Sequence, residues 1–189
     1  MENEVWQSPF RIRPATPKDA QGIAWVHVDT WRAAYAGLIP ANVLAQLSVE
    51  HDAQQIRAWI AQPRAGSFWW VAEKMGSIVG FASGGPERSG DEIYRGEIYA
   101  LYVLPAFQRQ GIGRQLVVAS VQSLLQSGLT SMLIWVLAEN HPARAFYARL
   151  GGQPVREQMI TIGGTSLREI GYGWGDIKPL FNHEGQHTL

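Results

Sequence analysis

The sequence of 189 residues contains no cysteine and no excess of either charge, because 16 basic residues balance 16 acidic ones. The absence of cysteine excludes disulfide bonds and thiol nucleophiles, and it fits a reducing compartment. The balanced charge argues against nucleic acid and against a membrane surface as partners. The first ten residues, MENEVWQSPF, have no long apolar run, so they predict neither a secretory signal nor a membrane span. We therefore expect a cytoplasmic protein.

The rest of the composition is typical of a folded domain. Hydrophobic residues make up 46% of the chain and charged residues 17%, which indicates a globular protein and not a disordered one. A chain of this length fits one domain with a single core. We predict that residues 1–189 form one domain, with a folded core over residues 11–174 and short tails at both ends.

Strand-like and helix-like segments alternate along the chain. Thr16-Pro17 has the residue types that begin helices, and the apolar spacing that follows predicts a helix as far as Gly37. Met75-Gly76 and Gly163-Gly164 each separate two strand-like runs, which predicts two hairpins. A strand–helix–strand crossover is expected over residues 97–137. The predicted fold class is α/β, with a mixed sheet of about six or seven strands and helices on both faces.

The stretch QRQGIGRQL, residues 108–116, lies between an apolar strand and the start of a helix. The first N–H groups of a helix have no partner within it, and glycine lets an anion approach the backbone closely. Arg109 and Arg114 would add positive charge, so we predict a phosphate site. The dinucleotide fingerprint requires glycine where Leu116 stands, and the P-loop requires Lys followed by Ser or Thr where Arg114 and Gln115 stand. Both nucleotide motifs are therefore excluded.

Two segments of the chain share their spacing with a known family. The first has Gln108, Gly111 and Gly113 in the pattern of a pyrophosphate loop. The second is NHPARAFYARLGG, in which the matching residues are Asn140, Ala143, Phe146, Tyr147 and Gly151. The stretches WRAAYAGLIP and REIGYGW extend the similarity, which runs over residues 11–174. Together these segments resemble the GCN5-related N-acetyltransferase (GNAT) family.

The resemblance implies a fold and a cofactor. In that family the strands matching residues 97–104 and 131–137 are parallel and splay apart, which leaves a crevice for a ligand. Acetyl-CoA is the implied cofactor, as acetyl donor, and no metal is implied. Its pantetheine would pair with the main chain near Leu101, Tyr102 and Val103. The other residues implied in cofactor binding are Gln108, Arg109, Gln110, Gly111, Ile112, Gly113, Arg114, Asn140, Arg144 and Tyr147.

The resemblance also suggests the catalytic residues. An alkyl amine has a pKa of ~10.4 in water, so a base must remove a proton before the amine attacks. Glu97 is the candidate base, acting directly or through water; the alternative is an exposed glutamate without a catalytic part. Tyr147 is the candidate general acid for the departing thiolate; the alternative is a core aromatic residue. Simple alternation places Glu97 on one strand face with Tyr99, Leu101 and Val103.

The acceptor pocket implied by the resemblance is built from the first two helices and nearby strands. Its expected residues are Trp31, Tyr35 and Tyr99, together with Trp69 and Tyr102. Aromatic rings suit a cationic amine, although each of these residues can equally belong to the core. We expect an N-acetyltransferase that transfers the acetyl group directly, in a ternary complex, to a primary amine of a small molecule, a peptide or a protein.

Two alternatives stay open. A non-catalytic acyl-CoA sensor would keep the phosphate site without the chemistry, but the presence of Glu97 and Tyr147 favours the enzyme. The segment HEGQH, residues 183–187, matches the zinc-protease pattern H-E-x-x-H. It contains Gly185 and leaves no room for a third ligand, so we expect a tail and no metal site. The family resemblance also permits a homodimer.

Overall fold

A computed structural model describes residues 10–182 of the chain. Within this range there are seven strands, six α-helices and two short 3₁₀ helices, Pro17–Asp19 and Pro105–Phe107. The strands are Arg11–Pro14 (β1), Phe68–Lys74 (β2), Ser77–Pro86 (β3), Gly96–Val103 (β4), Met132–Leu137 (β5), Gln153–Ile162 (β6) and Thr165–Trp174 (β7). The helices are Ala20–Ala34 (α1), Ala41–Gln46 (α2), Val49–Ala61 (α3), Ile112–Gln126 (α4), His141–Arg149 (α5) and Lys178–Asn182 (α6).

The seven strands form one mixed sheet in the order β1-β2-β3-β4-β5-β7-β6. Strands β4 and β5 are parallel, and the other neighbouring strands are antiparallel. Helix α4 covers one face, where Leu116 packs in the same core as Val79. Helices α1 and α3 cover the other face, where Ile23 packs in the same core as Val71. The predicted α/β fold, with helices on both faces of a mixed sheet, is confirmed.

Both predicted hairpins are present, as β2–β3 and β6–β7. Met75 and Gly76 have φ angles of 50° and 79°, and Gly163 and Gly164 have φ angles of 56° and 81°. Two consecutive residues with positive φ are typical of the turn whose twist matches that of paired strands. Glycine adopts this conformation readily, which is why these turns could be read from the sequence.

Helix α1 ends at Ala34, earlier than the predicted end at Gly37. The N–H of Ile39 donates to the carbonyl of Tyr35 at 3.0 Å, so the chain turns before it reaches a second helix. This turn buries Tyr35 and Ile39 in one cluster with Leu137 of β5. The early end of the helix therefore brings an aromatic side chain over the sheet.

The packed structure continues beyond Trp174, where a tail was predicted. Ile177 is fully buried, and its N–H donates to the carbonyl of Thr130 at 3.0 Å. Helix α6 then packs against α4. The HEGQH segment at residues 183–187 lies outside the described residues.

Strand β4 contains a β-bulge at Tyr99. Ser83 of β3 pairs with Ala100, whereas the next residue, Gly84, pairs with Ile98. Tyr99 is therefore one extra residue on β4, and it has no partner on β3. An extra residue reverses the alternation of side chains between the two faces of the sheet.

Because of this bulge, the prediction that Glu97, Tyr99, Leu101 and Val103 share one face is wrong. Leu101 and Val103 pack against the core beneath α4. Glu97 and Tyr99 instead line a cavity with Tyr102, whose ring packs against the core beneath α1. Simple alternation assumes an uninterrupted strand, and one additional residue is enough to move every later side chain to the other face.

Candidate active site

Strands β4 and β5 separate after a short parallel pairing. Residues Gly96–Ile98 pair with Met132–Ile134, and in the described residues no pairing between the two strands continues beyond this point. Strand β4 nevertheless runs on to Val103, and β5 runs on to Leu137. This is the predicted splayed pair, and it opens beside the bulge. Main-chain N–H and C=O groups on its open edges are available to an extended ligand.

The turn before α4 has main-chain geometry suited to an anion. Gly111 has a φ angle of 87°, and Arg109 has a φ angle of 61°. The first hydrogen bond of α4 runs from the N–H of Gln115 to the carbonyl of Gly111 at 3.1 Å, so the N–H groups of Ile112 and Gly113 precede the helical ladder. A Cβ atom built on Gly111 would have no described atom within 4 Å. An anion can therefore approach this turn closely.

Two glutamine side chains shape the same turn. Gln108 donates from Nε2 to the carbonyl of Val103 at 3.0 Å, and Gln110 donates from Nε2 to the carbonyl of Ala106 at 3.2 Å. Lys74 donates from Nζ to Oε1 of Gln110 at 3.3 Å, which places a further cation beside the turn. Direct contact of the two glutamines with a ligand stays a prediction.

Helix α5 packs closely against the start of α4. A Cβ atom on Gly113 would lie 3.3 Å from the ring of Phe146, so this contact favours glycine. Asn140 caps α5, because its Oδ1 accepts a hydrogen bond from a main-chain N–H of the first turn at 3.2 Å. Arg144 donates to the carbonyl of Ala138 at 2.8 Å. Both side chains support the end of the crevice, and their contact with the cofactor stays a prediction.

Three tyrosine hydroxyls interact beside the crevice. Tyr147 is only 6% exposed, and burial raises its pKa above the ordinary tyrosine value, with a smaller contribution from Tyr35. Burial also raises the pKa of Tyr35 and brings that of Tyr102 well above its usual range. The three phenols therefore stay protonated at neutral pH and can serve as hydrogen-bond donors.

A cavity of about 370 Å³ lies on the α1 face of the sheet, next to the crevice. Trp69 does not line it, and instead stacks with Trp59 and Phe81 at ring-centre distances of 6.2 and 6.0 Å. The predicted residues that line the cavity are Trp31, Tyr35, Glu97, Tyr99 and Tyr102. The other lining residues are Ile39, Glu87, Arg88, Ser89, Trp135, Val136, Leu137, Gln158, Ile162 and Glu169.

Glu97 is buried in the cavity wall and is paired with a cation. Its side chain is 3% exposed. Arg88 donates from Nε to Oε2 at 3.0 Å and from Nη2 to Oε1 at 2.5 Å, and this hydrogen bonding raises the pKa of Arg88. The guanidinium also lies over the ring of Tyr99, 4.2 Å from its centre. Glu97 is therefore not exposed, and its part in catalysis stays a prediction.

Sequence reasoning missed three charged residues of the cavity, Glu87, Arg88 and Glu169. Arg88 belongs to a polar loop, and turn-forming residues do not indicate which side chain points inward. Glu169 pairs with Leu137 across β7 and β5, and its Oε2 accepts a hydrogen bond from Gln158 at 2.9 Å. Its place beside the cavity follows from a strand register that the sequence does not specify.

The fold is shared with solved N-acetyltransferase structures. One is PaiA N-acetyltransferase from Thermoplasma acidophilum, determined in complex with coenzyme A. It matches with a TM-score of 0.68 and 17% sequence identity, covering 85% of this chain and 97% of that one. At this level of identity the similarity shows the fold alone.

The sequence comparisons give the family. The family model described as "Acetyltransferase (GNAT) family" matches residues 28–152, which is more than half of the chain. The chain therefore belongs to the GNAT family of acetyltransferases. This confirms the predicted resemblance, and it confirms the prediction that the protein is an acetyl-CoA-dependent acetyltransferase.

Two relatives match over almost their whole length. The uncharacterised N-acetyltransferase YuaI of Bacillus subtilis is 41% identical over 169 residues, covering 89% of this chain and 95% of that protein. The probable N-acetyltransferase Rv2775 of Mycobacterium tuberculosis is 29% identical over 175 residues, covering 87% of this chain and 93% of that protein. Both names describe acetyl transfer, and neither specifies an acceptor.

Over residues 10–182, no helix is long and apolar enough to cross a bilayer. The same range holds no group of three or more His, Cys, Asp or Glu side chains arranged to bind a metal.

Proposed function

We propose that the protein transfers the acetyl group of acetyl-CoA directly to a primary amine of a small molecule or a peptide. The observation that carries this proposal is the cavity beside the splayed strands, where Glu97 faces the same space as Trp31, Tyr35 and Tyr99. A buried carboxylate among aromatic rings suits an ammonium group before reaction and its neutral amine during reaction.

The donor side rests on the family and on the geometry of two segments. The turn at Gly111 and the N–H groups of Ile112 and Gly113 would hold the diphosphate, with Arg109 and Arg114 adding positive charge. The main chain of residues 101–103, on the open edge of β4, would pair with the pantetheine amides. When bound, acetyl-CoA supplies an activated thioester.

The chain's own residues would then orient the amine and move two protons. Holding an amine next to the thioester lowers the barrier by up to about 7 kcal/mol through proximity alone. Glu97 would accept the proton of the ammonium, directly or through a water molecule. Tyr147, protonated at neutral pH, would donate its hydroxyl proton towards the departing sulfur and would regain a proton from the nitrogen, which gives up its second proton as the amide forms. Direct transfer requires no nucleophile on the enzyme, which agrees with the absence of cysteine.

The charges of the cavity favour a cationic acceptor. Arg88 is already paired with Glu97, and the oxygens of Glu87 accept hydrogen bonds from main-chain groups of its own loop. Among residues 10–182, Glu169 accepts one hydrogen bond, from Gln158, so its carboxylate keeps positions for a donor on the acceptor. An amine that carries a second positive charge or several N–H donors therefore fits this cavity better than an anionic amine.

The test is an assay of free CoA thiol released from acetyl-CoA in the presence of a panel of amines. We expect thiol release that depends on the amine, and an acetylated product detected by mass spectrometry. Double-reciprocal plots should intersect, as for a ternary complex, whereas parallel lines would indicate a covalent enzyme intermediate and contradict direct transfer. Thermal stabilisation by acetyl-CoA without turnover on any amine would support the non-catalytic sensor instead.

A further inference from the structure

The contacts of Glu97 leave it little freedom. Its Oε2 accepts from Nε of Arg88 at 3.0 Å and from the main-chain N–H of Arg88 at 3.3 Å, and its Oε1 accepts from Nη2 at 2.5 Å. An ionised carboxylate has about four lone-pair positions, and within the described part of the chain these three bonds fill all but one. The remaining position is on Oε1, so any water or amine that uses Glu97 has to approach this atom.

Arg88 is itself held by contacts that do not involve Glu97. The Tyr99 ring stacks under its guanidinium, and the Tyr99 hydroxyl donates to the carbonyl of Pro86 at 2.6 Å. The loop around Arg88 is closed by Glu87, whose carboxylate accepts hydrogen bonds from the N–H groups of Gly90 and Asp91 at 2.7 and 2.8 Å. This loop should therefore keep its conformation when the side chain of Arg88 is changed.

The loop is also attached to the sheet on its far side. Asp91 accepts hydrogen bonds from the N–H groups of Ile93 and Tyr94 at 2.9 and 3.0 Å, and from Nε of Arg156 at 2.8 Å. The loop that carries Arg88 is thus fixed both to itself and to β6. A guanidinium on such a support can orient a carboxylate in one geometry.

We propose that Arg88 is a positioning residue for acetyl transfer: it fixes the Glu97 carboxylate so that Oε1 presents its one remaining acceptor position to the amine or to a bridging water. This inference rests on the proposed function, because it concerns the residue that acts on the acceptor amine. Arg88, in the loop between β3 and β4, would thus affect the reaction only through Glu97. It would not itself contact the reacting atoms.

The experiment is a double-mutant cycle, measured with acetyl-CoA and the best amine of the panel. The variants are Arg88→Gln, Glu97→Gln and the double variant, with Arg88→Lys as the conservative change. If Arg88 acts only through Glu97, its removal has no further effect once Glu97 is glutamine. The readouts are kcat, the KM for the amine, the KM for acetyl-CoA and the melting temperature.

We expect Glu97→Gln to lower kcat about 100-fold and Arg88→Gln to lower it about tenfold or more, with the KM for acetyl-CoA unchanged. The double variant should match Glu97→Gln within about twofold, and Arg88→Lys should recover part of the lost kcat. A matched control is Arg13→Gln, because Arg13 bonds two carboxylates, Asp19 and Glu73, at the other end of the sheet. That variant should lower the melting temperature and leave kcat unchanged.

Multiplied losses in the double variant, or an unchanged kcat in Arg88→Gln, would overturn the proposal. If Arg88→Gln does not fold, because it leaves a buried carboxylate without its partner, Arg88→Lys takes its place in the cycle. Its kcat should then be lower than that of the unmodified protein, and Arg88→Lys combined with Glu97→Gln should match Glu97→Gln. An unchanged kcat in Glu97→Gln would refute both the base and its positioning residue while acetyl transfer itself stands. A complete absence of transfer in the unmodified protein would instead refute the proposed function.

Discussion

Replacing Gly111 by alanine separates the cost of backbone conformation from the cost of losing a phosphate contact. Gly111 has a φ angle of 87°, and an added methyl group would meet no described atom within 4 Å. In the absence of cofactor, Gly111→Ala should therefore destabilise the folded protein only by the conformational cost of a left-handed alanine, which is about 1–2 kcal/mol. In a protein of this size that corresponds to a fall in melting temperature of about 2–8 °C.

Gly111→Ala should also weaken the binding of acetyl-CoA, by more than the backbone cost alone would cause. Because no described atom lies within 4 Å of it, the methyl group would stand at the open surface of the turn whose N–H groups, on Ile112 and Gly113, we propose to hold the diphosphate. Losing one hydrogen bond to a charged group costs about 1.5–3 kcal/mol, which corresponds to about a 10- to 150-fold rise in the Kd for acetyl-CoA. Titration calorimetry of the folded variant measures this Kd directly.

Gly128 provides the matched control at the opposite end of the same helix. Its φ angle is 75°, and a Cβ atom there would also meet nothing within 4 Å. Gly128→Ala should therefore lower the melting temperature by a similar amount and leave the Kd for acetyl-CoA unchanged. An equal Kd in Gly111→Ala and in the unmodified protein, or an equal rise in both variants, would refute the phosphate site at this turn.

Two further predictions concern Tyr147 and Asp19. Tyr147→Phe should lower kcat about 10- to 100-fold in the thiol-release assay while the Kd for acetyl-CoA stays the same, and an unchanged kcat would remove its role as a proton donor. Hydrogen bonds from Arg13 lower the pKa of Asp19 from 3.8 to about 2, so its stabilising contribution is complete above pH 4 and is lost as the pH falls towards 2. After allowance for solvent screening this contribution is about 1 kcal/mol. Because only about half of this contribution is lost by pH 3, urea unfolding at pH 6 and pH 3 should show that Asp19→Asn reduces the pH dependence by about half this amount. An identical pH dependence in both proteins would contradict it.

Features that depend on local backbone chemistry could be predicted from the sequence. The Gly163-Gly164 pair predicted its hairpin because two consecutive residues with positive φ favour glycine. The turn around Gly111 was predicted for the same reason, together with the apolar strand before it and the helix after it. Such signals lie within a few neighbouring residues, so no knowledge of the tertiary structure is needed to read them.

Features that depend on pairing between distant segments could not be predicted in this way. The bulge at Tyr99 exists because β3 and β4 pair with different numbers of residues, and it moved Leu101 and Val103 to the face opposite Glu97. The contact of Arg88 with Glu97 joins a loop to a strand across that same bulge. Both features were missed because the sequence contains the residues but not the strand register.

The most direct test of the account is a crystal structure of the protein with coenzyme A. The account predicts that the diphosphate oxygens lie about 3 Å from the main-chain nitrogens of Gly111, Ile112 and Gly113. It also predicts that the pantetheine runs between β4 and β5 towards the cavity that holds Glu97. A diphosphate bound at any other part of the surface, or a pantetheine outside the crevice, would contradict it.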